Sequence, residues 1–250
     1  MTLAVVTGGE SGIGAACAVR LAKAGADVVI SYHQDKQAAD EVIRRVCAVD
    51  RKGLAVQCDV ASEEDVAALF DAAARFGTCR WLVNSAGVNM SGTPVEQMEL
   101  AQFERTVATD LTGPFLTSRE FVRRLDGKGG RIVNISSIHA FAPRAGGADY
   151  DAARGGLSQL TRTLALELAQ KHIAVNGVAP GMILTPMNEE AIEDPEVRRK
   201  REAAIPWGRA GTAEEVAKLV AFMLSPEADY ITGTTITIDG GLSLTIAQGA

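Results

Sequence analysis

The sequence predicts a doubly wound α/β fold, in which a parallel β-sheet is covered by helices on both faces, within a single domain spanning residues 1–250. Short apolar runs alternate with longer helical patterns almost to the end of the chain, as repeated βαβ units require. No repeat, low-complexity tract or linker interrupts this alternation, and 250 residues suit one α/β domain. A glycine-rich turn directly follows the first apolar run. Together these observations favour one compact sheet domain.

Strands are predicted where β-rich apolar runs are short, and helices where apolar residues recur every three or four positions. In the first half of the chain, these rules place strands at 3–7, 27–31, 54–58 and 81–84, and helices at 13–24, 37–50 and 63–76. In the second half, they place a long helix at 101–124, a strand at 131–136, a helix that contains Tyr150 and ends near Lys171, a strand at 174–179, a helix at 213–224 and a strand at 235–238.

The longest irregular segment, residues 181–211, has a charge-rich centre with the sequence EEAIEDPEVRRKREAA. A solvated helix is the simpler interpretation of this centre. A substrate lid over about 184–211 is the functional one, because insertions past the carboxyl end of a strand commonly carry function in α/β enzymes. Trp207 is equally consistent with a lid aromatic and with a packing residue.

Composition and charge exclude several classes of function. The formal net charge of −6 provides no basic field for a nucleic-acid backbone. No apolar run is long enough to span a bilayer, and the chain begins without the pattern of a signal peptide. The four cysteines and three histidines show no metal-ligand spacing. We therefore expect a cytoplasmic enzyme or binding domain that acts on a small molecule, without a metal, nucleic acid or membrane.

The glycine-rich turn predicts a dinucleotide site. The residues Thr7-Gly8-Gly9-Glu10-Ser11-Gly12-Ile13-Gly14 follow the first strand and open a helix. Glycines at this place allow the backbone to turn sharply and to approach a diphosphate, which then lies at the positive end of the helix. The position of the turn, after an N-terminal strand in a βαβ chain, strengthens an interpretation that the glycines alone would leave weak.

The spacing T-G-x-x-x-G-I-G resembles that of the short-chain dehydrogenase/reductase family, whose other motifs appear in the same order along the chain. Asp59 follows the third strand, Asn84-Ser85-Ala86-Gly87 follows the fourth, and Ser137 follows the fifth. Tyr150 comes thirteen residues after Ser137, which is the family's catalytic spacing. Pro180-Gly181 and Thr185 match the segment that closes on the nicotinamide.

This resemblance covers essentially the whole chain. It implies a Rossmann-type sheet, an NAD(P)-dependent oxidoreductase that acts on a secondary alcohol, hemiacetal or ketone, and a homotetramer. It also implies a set of cofactor-binding residues spread over the ends of five strands: Gly8, Glu10, Ser11, Gly12, Ile13, Gly14, Tyr32, His33, Asp59, Val60, Asn84, Ala86, Gly87, Tyr150, Arg154, Pro180, Gly181, Ile183 and Thr185.

Tyr150 and Arg154 lie four residues apart and therefore share one face of their predicted helix. Oxidising an alcohol needs a base for the hydroxyl proton, and a free phenol, with a pKa near 10, is a poor base at neutral pH. Lowering a phenol pKa to about 7 requires roughly 4 kcal/mol, and a cation about 4–5 Å away supplies roughly 3–4 kcal/mol. Arg154 is therefore a candidate partner for Tyr150, with Ser137 holding the reacting oxygen. Surface neighbours without a role are the simpler alternative.

The chain departs from the family at two positions of the expected catalytic tetrad, Ser137, Tyr150, Arg154 and Asp110. Relatives carry lysine in place of Arg154 and asparagine in place of Asp110. Arginine keeps the positive charge but, unlike lysine, cannot give up a proton to a relay. In one interpretation, Asp110 and Arg154 form a compensating ion pair and the enzyme is active. In the other, the carboxylate cancels the effect of the arginine, and the protein is a cofactor-binding sensor or assembly subunit with attenuated catalysis.

The end of the second strand, Ser31-Tyr32-His33-Gln34, leaves the cofactor open between NAD and NADP. A carboxylate at this place selects NAD, but the first acidic residue is Asp35. No arginine or lysine occupies Ser11 or His33, where NADP-using relatives often carry one, and Glu10 would repel a phosphate. We expect NAD(P), with NADP slightly favoured.

Further segments resemble bacterial glucose 1-dehydrogenases and neighbouring sugar dehydrogenases: 136–139, 185–188 with 194–196, and 230–233 with 239–241. A sugar or polyol is therefore the expected substrate class, contacted by Ser137 and Tyr150. His139 is either a further substrate contact or a neighbour without a role.

Two other features keep alternatives open. An acyl-chain reductase would need a basic patch for an acidic carrier, and the candidates are Arg198, Arg199, Lys200 and Arg201. The apolar character of the C-terminal segment 241–246 predicts in part a strand that finishes the sheet, and burial against another subunit would explain the rest.

Overall fold

The computed structural model describes residues 2–90, 92–127 and 129–247. The strands are β1 (Leu3–Val6), β2 (Asp27–Tyr32), β3 (Gly53–Gln57), β4 (Cys79–Asn84), β5 (Gly130–Ile135), β6 (Ile173–Pro180), β7 (Ile183–Leu184), β8 (Gly211–Thr212) and β9 (Thr235–Ile238). The α-helices are α1 (Gly12–Lys23), α2 (Lys36–Cys47), α3 (Glu63–Ala74), α4 (Leu100–Val107), α5 (Gly113–Arg123), α6 (Ala148–Leu168), α7 (Glu189–Glu193), α8 (Pro195–Glu202) and α9 (Ala213–Leu224). Within the described ranges, none of the helices is long and apolar enough to cross a membrane.

The central sheet has seven parallel strands in the order β3-β2-β1-β4-β5-β6-β9. The chain starts in the middle with β1, builds outward to β3, and continues on the other side of β1 with β4. The loops that follow β1 and β4 therefore run to opposite sides, and a crevice opens between them at the carboxyl ends of the strands. This topology confirms the predicted doubly wound parallel sheet.

Two apolar layers hold the helices on the sheet. Every residue of β1 and β2 is buried, as expected for parallel strands covered on both faces. Successive side chains point to opposite faces, so Ala4 and Val6 pack towards α1 and α9, while Leu3 and Val5 pack towards α3 and α5. This packing on both faces fixes the positions of the strand ends that carry the candidate site.

The prediction of one continuous helix at 101–124 is wrong, because a π-helical turn over Ala108–Thr112 separates α4 from α5. Pro114, in the first turn of α5, has no N–H to donate to the carbonyl of Asp110, four residues earlier. The N–H of Gly113 instead donates to the carbonyl of Ala108. Such π-helical turns frequently occur at functional sites, and this one carries Asp110.

The segment 181–211 is more regular than the sequence predicts. It contains α7, α8 and the strands β7 and β8, which pair in a small parallel sheet. α8 buries none of its residues, in agreement with the simpler prediction of a solvated helix.

The prediction of a C-terminal strand over 241–246 is wrong. Leu242–Ala247 forms a 3₁₀ helix. The carboxylate of Asp239 accepts hydrogen bonds from the N–H groups of Gly241 and Ser243, at 2.9 and 2.7 Å. These bonds turn the chain away from the sheet after β9.

Candidate active site

A cleft of about 560 Å³ lies at the carboxyl ends of the strands, where the crevice between β1 and β4 opens. Its lining comes from the glycine-rich turn, from the loops after β2 to β6 and from α6. Most of the residues singled out in the sequence line this cleft: Gly8, Glu10, Ser11, Gly12, Ile13, Gly14, His33, Asp59, Val60, Ala86, Gly87, Ser137, Tyr150, Arg154, Pro180, Gly181, Ile183 and Thr185.

The glycine-rich turn packs too closely for larger residues. A Cβ atom on Gly14 would lie 2.0 Å from the carbonyl oxygen of Gly8, so the first turn of α1 contacts the preceding loop directly. The N-cap residue, Ser11, makes no side-chain capping bond, which leaves the first N–H groups of α1 for another acceptor. These features fit the diphosphate of a dinucleotide, for which an uncapped helix N-terminus is a favourable site.

The two halves of the cleft are joined by Thr7. Its hydroxyl oxygen accepts hydrogen bonds from the N–H groups of Ser85 and Ala86, at 3.0 and 3.1 Å. The loop after β4 is thereby fixed against the end of β1. This arrangement fixes the side of the cleft that Ala86 lines.

The end of β2 is occupied by a carboxylate from another element. Glu10, in the glycine-rich turn, accepts a hydrogen bond from the N–H of His33 at 3.2 Å. Glu10 and His33 line the cleft, whereas Tyr32 does not. Tyr32 is buried in the apolar layer around α1, which accounts for its absence from the lining.

Tyr150 lies in the first turn of α6 and is 6% exposed. The guanidinium carbon of Arg154 lies 4.9 Å from the centre of the Tyr150 ring, as their spacing of one helical turn predicts. The ring of His139 approaches the same ring edge-on, with the centroids 6.2 Å apart. The guanidinium carbon of Arg144 lies 5.9 Å from the centre of the same ring. Tyr150 is therefore contacted by two guanidinium groups and an imidazole.

Ser137 is the last extended residue before a 3₁₀ turn over Ile138–Ala140. Its Oγ accepts a hydrogen bond from the N–H of His139 at 3.2 Å, which orients the hydroxyl. The imidazole Nδ1 of His139 lies 2.9 Å from the carbonyl oxygen of Ala142. His139 is outside the lining of the cleft, and its backbone and ring both support residues that face the cleft.

Arg154 is buried, with 5% of its side chain exposed. One guanidinium nitrogen, Nη1, donates to the carbonyl of Ile135 at 2.8 Å, and Nη2 lies 2.8 Å from Oδ2 of Asp110. A Cβ atom on Gly87 would lie 2.4 Å from Nη2, so glycine at that position is needed to accommodate the arginine. The guanidinium is thus fixed on three sides.

Asp110 is fully buried and does not itself line the cleft. Its Oδ1 accepts a hydrogen bond from the N–H of Val88 at 2.8 Å. Its Oδ2 contacts Arg154 at ion-pair distance, although the angle is too poor for a hydrogen bond. The short separation still makes this contact an ion pair, because charges attract without a strict angular requirement.

The electrostatics of this pair follow from its burial. Burial raises the pKa of the Asp110 carboxyl above its ordinary value, and Arg154 and the Val88 N–H offset this only in part. Burial also opposes the charge of Arg154, but Asp110 and Tyr150 outweigh it, so the pKa of the guanidinium lies above its ordinary value. Arg154 therefore remains charged beside Tyr150.

Asn84, a predicted cofactor-binding residue, lies outside the cleft lining. Its side chain donates to Asn134 at 2.8 Å and accepts from the hydroxyl of Thr117 at 2.6 Å. Asn134 in turn donates to Thr161 at 2.9 Å. These bonds form a buried polar chain between β4, β5 and the helices on one face, so the side chain of Asn84 supports the sheet.

Several residues that line the cleft could not be identified from the sequence. Arg105, Ala108 and Thr109 come from α4 and the π-helical turn, and no local pattern marks their approach. Pro186, Met187 and Asn188 follow Thr185, in the segment that resembles sugar dehydrogenases. The other unassigned lining residues are Ser31, Cys58, Ala61, Ser85, Val88, Ile135 and Ser136.

Comparison with known proteins identifies the family. A family model described as "Enoyl-(Acyl carrier protein) reductase" matches residues 8–243. The chain belongs to the short-chain dehydrogenase/reductase family. As a member of this family, it is an NAD(P)-dependent oxidoreductase.

The similarity to relatives in the short-chain dehydrogenase/reductase family extends over nearly the whole chain. The chain is 42% identical over 243 residues to 3beta-hydroxysteroid dehydrogenase 1 of Eggerthella lenta, covering 96% of this chain and 93% of the relative. It is 38% identical over 248 residues to glucose 1-dehydrogenase 2 of Bacillus subtilis, covering 98% and 96%. The crystal structure of acetoin dehydrogenase from Enterobacter cloacae superposes with a TM-score of 0.91 at 37% identity, covering 100% of this chain and 98% of that one.

Proposed function

We propose that this oxidoreductase interconverts a secondary alcohol or hemiacetal and the corresponding carbonyl compound, with a sugar or polyol as the substrate class. The observation that carries the proposal is the presence of Tyr150, Ser137 and Arg154 in one cleft, with Arg154 4.9 Å from the Tyr150 ring. The identity to a glucose 1-dehydrogenase supports the sugar class. A bound nicotinamide would supply the acceptor or donor of the hydride.

The side chains of the protein carry out the proton transfer of this reaction. Tyr150 Oη takes the hydroxyl proton of the alcohol during oxidation and returns it during reduction. Arg154 places a fixed positive charge where the phenolate forms, and the carbonyl of Ile135 and the carboxyl of Asp110 hold that charge in place. Ser137 Oγ accepts the N–H of His139, which leaves its own proton free to donate to the substrate oxygen.

The interpretation as an attenuated, cofactor-binding protein depends on Asp110 cancelling the charge of Arg154. Two features favour activity. Burial opposes the ionised form of the Asp110 carboxyl and raises its pKa, which works against cancellation of the arginine charge. The charge of Arg154 acts on Tyr150 as well as on Asp110, so the ion pair does not take up all of its effect. The charged groups that act on Asp110 are Arg154 and Asp149.

An acyl-chain reductase is less well supported. Two of the four basic residues in its expected patch on α8 are paired with acidic neighbours: Arg198 forms an ion pair with Glu202 at 3.0 Å, and Arg201 with Glu190. An acidic carrier would have to compete with these carboxylates. The small-molecule substrate is therefore the proposal.

The remaining parts of the proposal concern the surroundings of the site. We propose 184–211 as the substrate lid, because its first residues, Thr185 to Asn188, line the cleft. Trp207 is outside that lining and 73% exposed.

A homotetramer is supported by exposed apolar side chains on α4 and α5, namely Leu100, Phe103 and Phe115. A cytoplasmic location is supported by the four free cysteines.

Turnover of the purified enzyme tests the proposal. The wild type and the Asp110→Asn/Arg154→Lys double variant would each be given NAD or NADP with a panel of sugars, polyols and simple ketones. We expect the wild type to be at least as fast as the double variant. A wild type that binds cofactor but turns over nothing, beside an active double variant, would establish the attenuated protein instead.

Tyr150→Phe provides the matched test of the proton-transfer step. Removing the hydroxyl should lower kcat by roughly 10²- to 10⁴-fold, the usual contribution of a general acid–base. Tyr230 is fully exposed, so Tyr230→Phe controls for the loss of a phenol elsewhere and should retain the wild-type kcat. Equal kcat values for Tyr150→Phe and the wild type would exclude Tyr150 as the proton-transfer group.

A further inference from the structure

The end of β2 lacks the carboxylate that normally distinguishes NAD from NADP. In dinucleotide-binding sheets, an acidic residue at that place binds the ribose 2′-hydroxyl of NAD, and a nearby arginine accommodates the 2′-phosphate of NADP. Here β2 ends at Tyr32, and the first acidic residue after it is Asp35. Asp35 accepts a hydrogen bond from the N–H of Ala38 at 2.9 Å and thereby caps α2. It lies outside the cleft.

Glu10 brings a carboxylate to the same place from the glycine-rich turn. Its Oε1 accepts a hydrogen bond from the N–H of His33, the first residue after β2, at 3.2 Å. Its Oε2 is buried and has no hydrogen-bond partner. A buried carboxylate oxygen without a donor is unfavourable unless a ligand satisfies it. Because Glu10 lines the cleft, that donor can come from a bound molecule.

Among the described residues, the lysines and arginines that line the cleft do not come from the β2 side. Lys36, at the start of α2, is bound to Asp40 at 2.6 Å. Arg105 and Arg154 also line the cleft, but they come from α4 and α6. These helices follow β4 and β5, on the opposite side of β1 from β2.

We propose that Glu10 replaces the missing carboxylate of β2 and makes the enzyme selective for NAD over NADP. One carboxylate oxygen is held by the His33 N–H, and the other accepts a hydrogen bond from a ribose hydroxyl. The same negative charge repels the 2′-phosphate of NADP, which carries further negative charge into the site. This inference rests on the proposed use of a nicotinamide dinucleotide, and it reverses the slight preference for NADP that the sequence suggested.

Binding without turnover tests the role of Glu10. Dissociation constants would be measured for NADH and NADPH by ligand fluorescence, and for ADP-ribose and 2′-phospho-ADP-ribose by calorimetry. A charge-assisted hydrogen bond corresponds to roughly tenfold or more in affinity. We therefore expect the wild type to bind NADH at least about tenfold more tightly than NADPH. In Glu10→Gln, this ratio should fall by at least about tenfold, partly because NADPH gains affinity.

Asp35→Asn is the matched control, because it neutralises the neighbouring carboxylate outside the cleft. It should leave the NADH/NADPH ratio unchanged, and circular dichroism would verify that every variant is folded. Glu10→Ala provides a second variant if Glu10→Gln is poorly folded. A wild type that prefers NADPH, or a ratio unaffected in a folded Glu10 variant, would overturn the role of Glu10 alone. Failure of the wild type to bind any of the four molecules would overturn the proposed function as well.

Discussion

Arg154→Met is the perturbation that most directly tests the buried ion pair. It removes the guanidinium that lies 2.8 Å from Asp110 and leaves the carboxyl with one hydrogen bond, from the Val88 N–H. With charge centres about 4 Å apart and an effective dielectric of about 20, the lost attraction is about 4 kcal/mol. Measured costs of removing one partner from a buried pair are of similar size, about 3–5 kcal/mol. We expect a loss of this order in the free energy of unfolding at neutral pH.

The loss should depend on pH with a definite sign. Burial already raises the pKa of Asp110 above its ordinary value of 3.8, while Arg154 lowers it. Without Arg154, the folded-state pKa of this carboxyl rises further. A raised folded-state pKa contributes stability at low pH that is lost as the pH rises towards that pKa. The variant should therefore be close to the wild type in acid, and its deficit should grow as the pH rises to neutrality.

This deficit can be measured by urea unfolding, monitored by circular dichroism. The protein concentration is held fixed, and the pH is varied between about 4 and 8. Adding Asp110→Asn to Arg154→Met removes the ionisable group, so the double variant should recover most of the stability and lose the pH dependence. A deficit that is the same at every pH would refute the reasoning. So would additive effects of the two substitutions, since residues in direct contact should be coupled.

Three other predictions concern Gly87, Thr212 and Glu215. Gly87→Ala should lower kcat by on the order of a hundredfold, because the new Cβ would lie 2.4 Å from Arg154 Nη2 and displace it from Tyr150; an unchanged kcat would show that the guanidinium position is unimportant. Thr212→Ala should destabilise the protein by about 1 kcal/mol, through loss of the capping box that Thr212 forms with Glu215 at the start of α9, and an unaltered thermal midpoint at neutral pH would contradict this. The Arg209 side chain and the Thr212 N–H lower the pKa of Glu215 from 4.5 to about 2, so the stability that this carboxylate contributes should persist above pH 4.5 and be lost as the pH falls to about 2.

Most secondary structure could be predicted because it is encoded locally. The helix at 213–224 and the strand at 235–238 have the predicted bounds, since apolar periodicity and capping residues mark them directly. The long helix at 101–124 failed for a local reason too. Pro114 removes the N–H that the carbonyl of Asp110 would need, and a prediction that gave this proline its usual weight would have placed a break there.

The candidate site was predicted in part. Tyr150 and Arg154 lie 4.9 Å apart, ring centre to guanidinium carbon, as one helical turn implies, and the glycine-rich turn follows its strand. The direction of the Asn84 side chain could not be read from its motif, because which face a strand residue presents depends on register and packing. Asp35 accepts its hydrogen bond from the N–H of Ala38, three residues along the chain. Whether such a carboxylate caps a helix or faces a ligand nevertheless depends on where the preceding strand, β2, ends.

The sequence by itself determined most of the strands and helices along the chain, the glycine-rich turn and the pairing of Tyr150 with Arg154, because each of these depends on residues within a few positions of one another. Only the tertiary structure decided which distant groups meet. Strand order brings Glu10 to the N–H of His33, and the packing of the π-helical turn against α6 brings Asp110 to Arg154. Such contacts depend on distances of a few ångströms across the sheet, which local patterns do not specify.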